Sequence, residues 1–583
     1  MADPFVETES ILAIDLGLCN TRAFLFDLVD GNYRLIAFAV SPSTTIAPLN
    51  DPRIGVFEVI AQLEKNAGRQ LLSSNKTLIS PSGGGNGIDC LINVYSAGPA
   101  FRTVLVGLVK DDSLKSIRNL ADTAYTEVVD CLSMGDQRKP DEWIDTIIKI
   151  HPDTILIAGG TDNGASISMR RLADYVGLAC YLIPAAERPS ILFTGNQALA
   201  DGIKESFGSL ASSVRVSSNI RPFGNVEDLQ PAAKDLSEMI TQVNRNRSPG
   251  FEELYAWSGG YTLPSCYAHG RMVRFMSKAF ELNKAIMAVD LGASAATISF
   301  GFNGQLIQGV YPQFGLGNAL IHLLDITPLE SVTRWLTVDI SPDYVQNYLN
   351  QKGQYPSSIP VTREDMVLEQ AVARQVLSLA VEQLRKKIPS EIPRLFEFTL
   401  PYCEPILVSG SVLLNAPAFG QTLLILLDSL QPVGTTTFIL DPNHLLPILG
   451  AVADVNPSVP VQVLESGVFE GLAFVVTPVS NARQGTPLLS GSLITNDGNT
   501  LTFEIDQGTF EVLPLPIGKS ARLLLEPRFH VDVGFGYGKK GEVEVSGTHL
   551  GVVFDARGRP LLLSGNDNTR REMMNKWIWS LES

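Results

Sequence analysis

Two stretches of this chain carry the same chemistry-bearing pattern. Ile11-Leu12-Ala13-Ile14 leads into Asp15-Leu16-Gly17, and Ile286-Met287-Ala288-Val289 leads into Asp290-Leu291-Gly292. In each, four apolar residues deliver a carboxylate to the end of a buried strand, where it can hold Mg²⁺ directly or through water. The glycine that follows lets backbone N–H groups approach phosphate oxygens with no Cβ in the way. Asn20 and Thr21 beyond the first turn, and Ser294 and Thr297 beyond the second, add side-chain donors. One Asp-x-Gly after an apolar run ordinarily means only a tight turn. Two, each followed by a hairpin and 275 residues apart, read as a duplicated lobe whose turns would enclose a triphosphate from both sides. A third element, Ile406-Leu407-Val408 followed by Ser409-Gly410-Ser411, ends an apolar strand in a small-residue turn. Adenine or ribose could lie close against such backbone, although taken alone it reads more readily as an ordinary strand-to-helix turn.

A fourth glycine segment lies elsewhere. Ala158-Gly159-Gly160-Thr161-Asp162-Asn163-Gly164 ends a strand and opens a helix. Open α/β sheets bind ligands at that location, and helix N-termini attract anions. Gly159, Gly160, Thr161 and Asp162 are therefore candidates for a second ligand or partner site, against the plainer reading of a tight turn with an Asp or Asn cap.

The elements that must position these turns follow from periodicity. Ile11–Ile14, Ala23–Phe26 and Tyr33–Val40 read as strands, with Asp30-Gly31 as a hairpin turn. Gly83–Gly87 reads as a surface loop. From Arg102 strands and helices alternate: strand Thr103–Val109, helix Ser113–Leu132, strand Thr154–Ala158, helix Ala165–Val176, strand Ser190–Thr194, helix Asn196–Ile203. That rhythm predicts a doubly wound parallel unit. A second strand pair, Ala285–Val289 and Ala296–Phe300, precedes a long amphipathic helix that starts at a Thr362-x-x-Asp365 cap. Pro405–Ser409 is then a strand and Ala416–Leu430 a helix. After Val479 short strands between Gly, Asn and Pro turns predict a small β domain, and a final helix places Met573, Met574, Trp577 and Ile578 for docking on the chain's own surface. Asp555–Pro560 reads as a solvated turn. The expected domains are 1–65, the first part of one lobe; 66–250, an inserted α/β domain; 251–479, the rest of the core with the second lobe; and 480–583, the β domain.

Composition narrows the classes. The chain has 583 residues, 45% of them hydrophobic, and a formal net charge of −16. Such a charge argues against nucleic acid or an anionic membrane as the main partner. Six scattered cysteines without a CxxC pair, and six histidines without metal-binding spacing, predict neither disulfides nor a transition-metal site. The first ten residues lack the basic charge of a signal peptide, and no apolar run reaches the roughly 18 residues of a membrane span. A cytoplasmic protein without a membrane span is expected.

Taken in order, the three nucleotide-type turns resemble the actin, sugar-kinase and heat-shock-chaperone ATPase superfamily. The closer likeness is to the MutL-type proteins associated with adenosylcobalamin-dependent glutamate mutase, the glutamate mutase L family, which is unrelated to mismatch-repair MutL. It is carried by Ile11-to-Asp27, Leu156-to-Gly164, Ala288-to-Ser294, Ser409-to-Pro417 and Leu440-to-Asn443 with its sequel Leu445-to-Ala451. The resemblance implies an actin-like (ribonuclease H-like) two-lobed ATPase fold, α/β in class, with an inserted doubly wound domain and a C-terminal β domain. It implies ATP and Mg²⁺ as cofactors and a chaperone-like or reactivating role toward a cobalamin mutase. Asp15 and Asp290 would take the catalytic and Mg²⁺-organising positions, Gly17, Asn20, Thr21, Gly292, Ser294 and Thr297 would hold phosphates, and Ser409-Gly410-Ser411 would lie under the nucleoside. The chain departs from the pattern at the second turn, where Asp-x-Gly-Gly/Ala-x-Thr-Thr is expected and Ala293-Ser294-Ala295-Ala296-Thr297 stands, with Ile298 in an acid's place. Fewer donors imply weak or partner-stimulated hydrolysis. Cys19-Asn20 replaces the commoner Ser or Thr, with Cys19 read as a packed thiol. A small-molecule kinase on the same fold and a non-catalytic scaffold or filament protein are the alternatives.

Overall fold

A computed structural model describes residues 9–224, 226–280 and 284–582. It forms two compact units. One comprises Met1–His269, Gly309–Pro312 and Pro447–Val463, the other Gly270–Gln308, Gln313–Leu446 and Leu464–Ser583.

In the first unit, β1 (Ile11–Leu16), β2 (Asn20–Val29) and β3 (Asn32–Pro42) form an antiparallel meander. Asp30 and Gly31 turn β2 into β3 with φ of 50° and 77°, the two left-handed positions that an Asp-Gly hairpin supplies. β4 (Cys90–Tyr95) runs parallel to β1. The sequence boundary at 66 places this segment in the inserted domain, but it pairs with β1 and belongs to the first sheet. The helix Pro52–Ala67 opens on an Asp51 cap with Pro52 in its first turn and closes on Gly68 at φ 64°. Its Val56, Val59, Ile60 and Leu63 cover Leu12, Ile14, Leu16, Ala23 and Leu25 of the sheet.

The inserted segment follows as a second sheet: β5 (Phe101–Gly107), β6 (Thr126–Ser133), β7 (Thr154–Ala158), β8 (Ser190–Phe193) and β9 (Ser213–Val216), all parallel in the order β6-β5-β7-β8-β9. Hydrophobic clusters on its two faces bury the helices on either side. The expected helix 113–132 is corrected: a helical segment runs from Lys110 through Ala121, and β6 follows. β6 is an edge strand with half-buried residues along its length, so its pattern lacked the apolar run of a central strand. The chain returns to the first sheet through β10 (Thr262–Pro264), giving the order β10-β4-β1-β2-β3.

The second main sheet carries β11 (Ala285–Leu291), β12 (Ala296–Phe302), β13 (Gln305–Tyr311), β14 (Cys403–Ser409), β15 (Gly434–Leu440) and β16 (Glu470–Thr477). β11 to β13 repeat the meander, and β14 and β15 run parallel to β11. The order β13-β12-β11-β14-β15 thus reproduces β3-β2-β1-β4-β10. This duplication makes the molecule an actin-like α/β protein. The helix Arg363–Arg385 starts at the anticipated box: Asp365 N–H donates to Thr362 Oγ1 at 3.1 Å, and Thr362 N–H to Asp365 Oδ2 at 3.2 Å.

The C-terminal region is not a separate layer. β17 (Pro487–Thr495), β18 (Thr500–Asp506), β20 (Ser520–Pro527) and β21 (Gly541–Ser546) form a four-stranded antiparallel sheet, while β19 (Phe510–Leu513) and β22 (Val552–Asp555) extend the main sheet beside β16. The final helix Asp567–Glu582 buries Met574 and Trp577 and packs on the helix Phe419–Leu430. The expected solvated turn 555–560 is corrected too. Asp555, Arg557 and Arg559 are buried: Arg557 Nε lies 2.8 Å from Asp555 Oδ1, Arg559 Nη2 2.8 Å from Asp555 Oδ2, and Arg557 Nη1 2.8 Å from Asp428 Oδ1. Arg374 completes the chain at 2.9 Å from Asp428. Burial alone would raise the Asp555 carboxyl, but the Arg557 and Arg559 guanidiniums more than offset it and hold the group well below the usual carboxylate range.

Candidate functional site

The two Asp-Leu-Gly segments fold alike. Gly17 N–H donates to Asn20 O at 3.0 Å, and Gly292 N–H donates to Ala295 O at 3.0 Å, so each glycine closes the same tight turn between antiparallel strands. A Cβ on Gly17 would meet Asn20 O at 2.7 Å, which accounts for glycine there; at Gly292 the same contact is a looser 3.4 Å. Each turn is held from behind by the segment that follows its meander. Ser43 donates its N–H to Cys19 O at 2.9 Å and its hydroxyl to Gly17 O at 2.7 Å. Leu316 N–H donates to Gly292 O at 3.0 Å, with Gly315 packed flat on the Ala293–Ser294 backbone. No sequence pattern singled out Ser43 or Gly315, because each is one small residue in a loop.

The carboxylates differ. Asp15 is fully buried and paired across the ladder with Arg22, whose Nη1 lies 2.8 Å from Asp15 Oδ2. Asp290 faces Thr297 on its neighbouring strand, keeps partial solvent access, and accepts a 2.8 Å hydrogen bond from Ser409 Oγ. His444 Nε2 stands 3.4 Å from Asp290 Oδ2, and behind it Asp441 accepts the Leu445 and Leu446 amides at 2.8 Å each. Burial pushes the Asp441 carboxyl up, while nearby His444 opposes the shift. His444 holds a left-handed φ of 59°, which turns the chain tightly between Asp441 and the next helix. In the sequence Asp441-Pro442-Asn443 carries only a resemblance, and His444 is a single polar residue with no periodic signal.

The third turn meets the second directly. β14 runs beside β11 with Ser409 opposite Asp290. A Cβ on Gly410, at φ 113°, would come within 2.4 Å of Leu291 O, so only glycine allows this approach. Ser411 is exposed just beyond. Thr21 takes another role from the one expected. Its ladder partner Leu16 lies on the face covered by the helix Pro52–Ala67, and a Cβ at Gly55 would sit 3.2 Å from Thr21 Oγ1. The hydroxyl is fully buried against that helix, on the face opposite Asp15.

Magnesium fits these residues unequally. It takes one or two carboxylates and otherwise keeps its water. Asp290, partly exposed and held by Ser409, suits that role, whereas Asp15 is neutralised by Arg22 and does not. Among the described residues no group of three or more His, Cys, Asp or Glu side chains is placed around a common metal position. Of the fourth segment, Gly159, Gly160 and Thr161 line a cavity in the inserted sheet. Asp162 is occupied structurally, accepting from Asn219 Nδ2 at 2.9 Å and from Gln197 N–H at 3.2 Å.

Comparison with known proteins decides the family. The model of the MutL protein family matches residues 11–468. The chain belongs to the MutL family. Protein MutL of Clostridium tetanomorphum is 20% identical over 309 residues, covering 49% of this chain and 64% of that protein, so the chain spans somewhat less than two thirds of this MutL relative. Among solved structures, nucleotide-free acetone carboxylase is 13% identical with a TM-score of 0.31, covering 86% of this chain and 81% of that one. The nucleotide-free diol dehydratase-reactivating factor is 9% identical with a TM-score of 0.29, covering 79% of this chain and 99% of that one. No helix among the described residues of this MutL-family chain is long and apolar enough to cross a membrane.

Proposed function

We propose that this MutL-family chain binds ATP with Mg²⁺ and works as a nucleotide-driven conformational switch, serving as a chaperone or reactivase for an adenosylcobalamin-dependent mutase such as glutamate mutase. The observation that carries the nucleotide reading is the repeated turn: two hairpins of one geometry, each ending in Asp-Leu-Gly, with a Ser-Gly-Ser turn packed on the second. Amides and hydroxyls at such turns grip phosphate oxygens, and Ser409-Gly410-Ser411 offers backbone that a nucleoside can approach. Gly292, Ser294 and Thr297 of the second turn, and Gly17 and Asn20 of the first, would hold phosphate. Asp290 would hold Mg²⁺, which neutralises phosphate charge when bound. Arg22 stands beside the first turn, its charge paired with Asp15. Binding of a triphosphate at these turns, and its loss, is the event that would drive the switch.

The thinned second turn, with alanines at 293, 295 and 296, supports slow hydrolysis that a partner accelerates. Family membership supports a mutase as that partner. The test is reactivation: cobalamin mutase inactivated during turnover is incubated with the full chain and ATP, ADP or no nucleotide. ATP-dependent recovery of mutase activity together with stimulated ADP release is expected. Recovery that ignores nucleotide, or none at all, would reject the assignment. ADP formation on a panel of sugars and carboxylic acids would favour the kinase alternative, and nucleotide-independent sedimentation the scaffold.

A further inference from the structure

The inserted sheet has a feature the nucleotide reading does not use. Its strand order β6-β5-β7-β8-β9 is, in order of sequence, 2-1-3-4-5, so the chain reverses its direction of winding between β5 and β7. In open parallel sheets a crevice forms at that reversal, beyond the carboxyl ends of the strands, and ligands bind there. Here the crevice is present as a cavity of ≈ 100 Å³, lined by the loops that follow β5, β7 and β9.

Its construction is rigid and selective. Gly159, at φ 149°, forms the floor; a Cβ there would strike Met169 Sδ at 2.6 Å and Leu108 Cβ at 2.7 Å. Asn219 is buried and ties the loops together, donating to Gly160 O at 3.0 Å and to Asp162 Oδ1 at 2.9 Å while accepting from Arg221 N–H at 3.0 Å. The Gly160 and Thr161 amides donate to no other described backbone group, and Thr161 is exposed at the rim. Arg221 lines the cavity with its Nε 2.7 Å from the half-exposed Asp112 carboxylate, its Nη1 donating to Ser116 Oγ at 3.3 Å and its Nη2 donating to Gly224 O. Leu108, Val109, Ala158 and Ile220 supply apolar wall.

We infer that this crevice binds a small phosphate monoester, its phosphate held by the Gly160–Thr161 backbone, the Thr161 hydroxyl and Arg221, and its organic part against Leu108, Val109 and Ile220. Donors from two loops suit the three free oxygens of a phosphate monoester better than the two of a carboxylate. The site lies in the inserted sheet and involves none of the residues of the Asp-Leu-Gly turns, so it would let the insert sense a metabolite separately from ATP.

The test is calorimetric titration of phenyl phosphate into the full chain, with folding of each variant checked by thermal unfolding. Saturable one-to-one binding is expected, weakened about tenfold or more in Arg221→Met and roughly threefold in Thr161→Val, and unchanged in Asp15→Asn. Absence of saturable binding to the wild type would overturn the inference, as would wild-type affinity in Arg221→Met or loss of binding in Asp15→Asn. If Arg221→Met does not fold, Thr161→Val decides, because its exposed hydroxyl is not part of the core; undiminished binding there would overturn the inference.

Discussion

Asp15 and Asp290 occupy the same register position in two copies of one hairpin, yet the first faces Arg22 across the ladder and the second faces Thr297. One residue on the neighbouring strand therefore separates a carboxylate paired with arginine from one held by Ser409 and His444. The duplication is kept in backbone and divided in chemistry.

The Arg22 pairing sets a first prediction. Removing one partner of a buried ion pair leaves an uncompensated charge, so Arg22→Met should destabilise the chain by about 3 kcal/mol in urea denaturation. The double variant Asp15→Asn/Arg22→Met should recover much of that loss. A double variant no more stable than the single one would show that the pair is not the cause.

Gly410 should tolerate no side chain. Gly410→Ala combines a left-handed backbone with a 2.4 Å approach to Leu291 O, and a cost on the order of 3 kcal/mol is expected. ATP affinity should fall with it, because the turn that receives the nucleoside is the one displaced. Wild-type stability and affinity in calorimetry would contradict this.

Asp441 should give stability an unusual pH dependence. Its carboxyl titrates higher in the folded chain than in the unfolded chain, because burial disfavours the charge. Its contribution is then fully present below the unfolded value of about 3.9 and lost as pH rises through the higher folded value. Relative to Asp441→Asn, the wild type should lose stability over that rise. A difference that stays flat, or grows, with increasing pH would refute the assignment.

The buried Asp555 works in the opposite sense. Its depressed carboxyl contributes stability above about pH 3.9 that disappears only as pH falls through its lower folded value. Asp555→Ala leaves Arg557 and Arg559 buried without their shared carboxylate and should cost about 3–5 kcal/mol near neutral pH. A loss under about 1 kcal/mol, the size of a surface pair, would show that the network is solvated.

The sequence made much of this legible, and the misses have physical causes. Both meanders announced themselves because central strands read as apolar runs and Asp30-Gly31 and Asn303-Gly304 supply the φ values that hairpins need. The Thr362–Asp365 box was readable because capping is local. Edge strands β6 and β9, half-buried, lacked a periodic signal. Asp555 to Arg559 looked solvated because charges beside Gly and Pro ordinarily are; only the return of β22 to the main sheet buries them. Thr21 was assigned to phosphate by residue type, but the side of the sheet it faces depends on register, which residue type does not reveal. His444 and Ser43 meet their partners through the fold alone.

The most direct measurement is the stoichiometry of ATP binding by calorimetry for the wild type, Asp15→Asn and Asp290→Asn, each in Mg²⁺. If both turns serve one nucleotide, the wild type binds one ATP and Asp290→Asn loses most of its affinity and its Mg²⁺ dependence, while Asp15→Asn weakens binding at the same single site. Two ATP per chain, with each substitution removing one, or wild-type binding in both variants, would contradict the account.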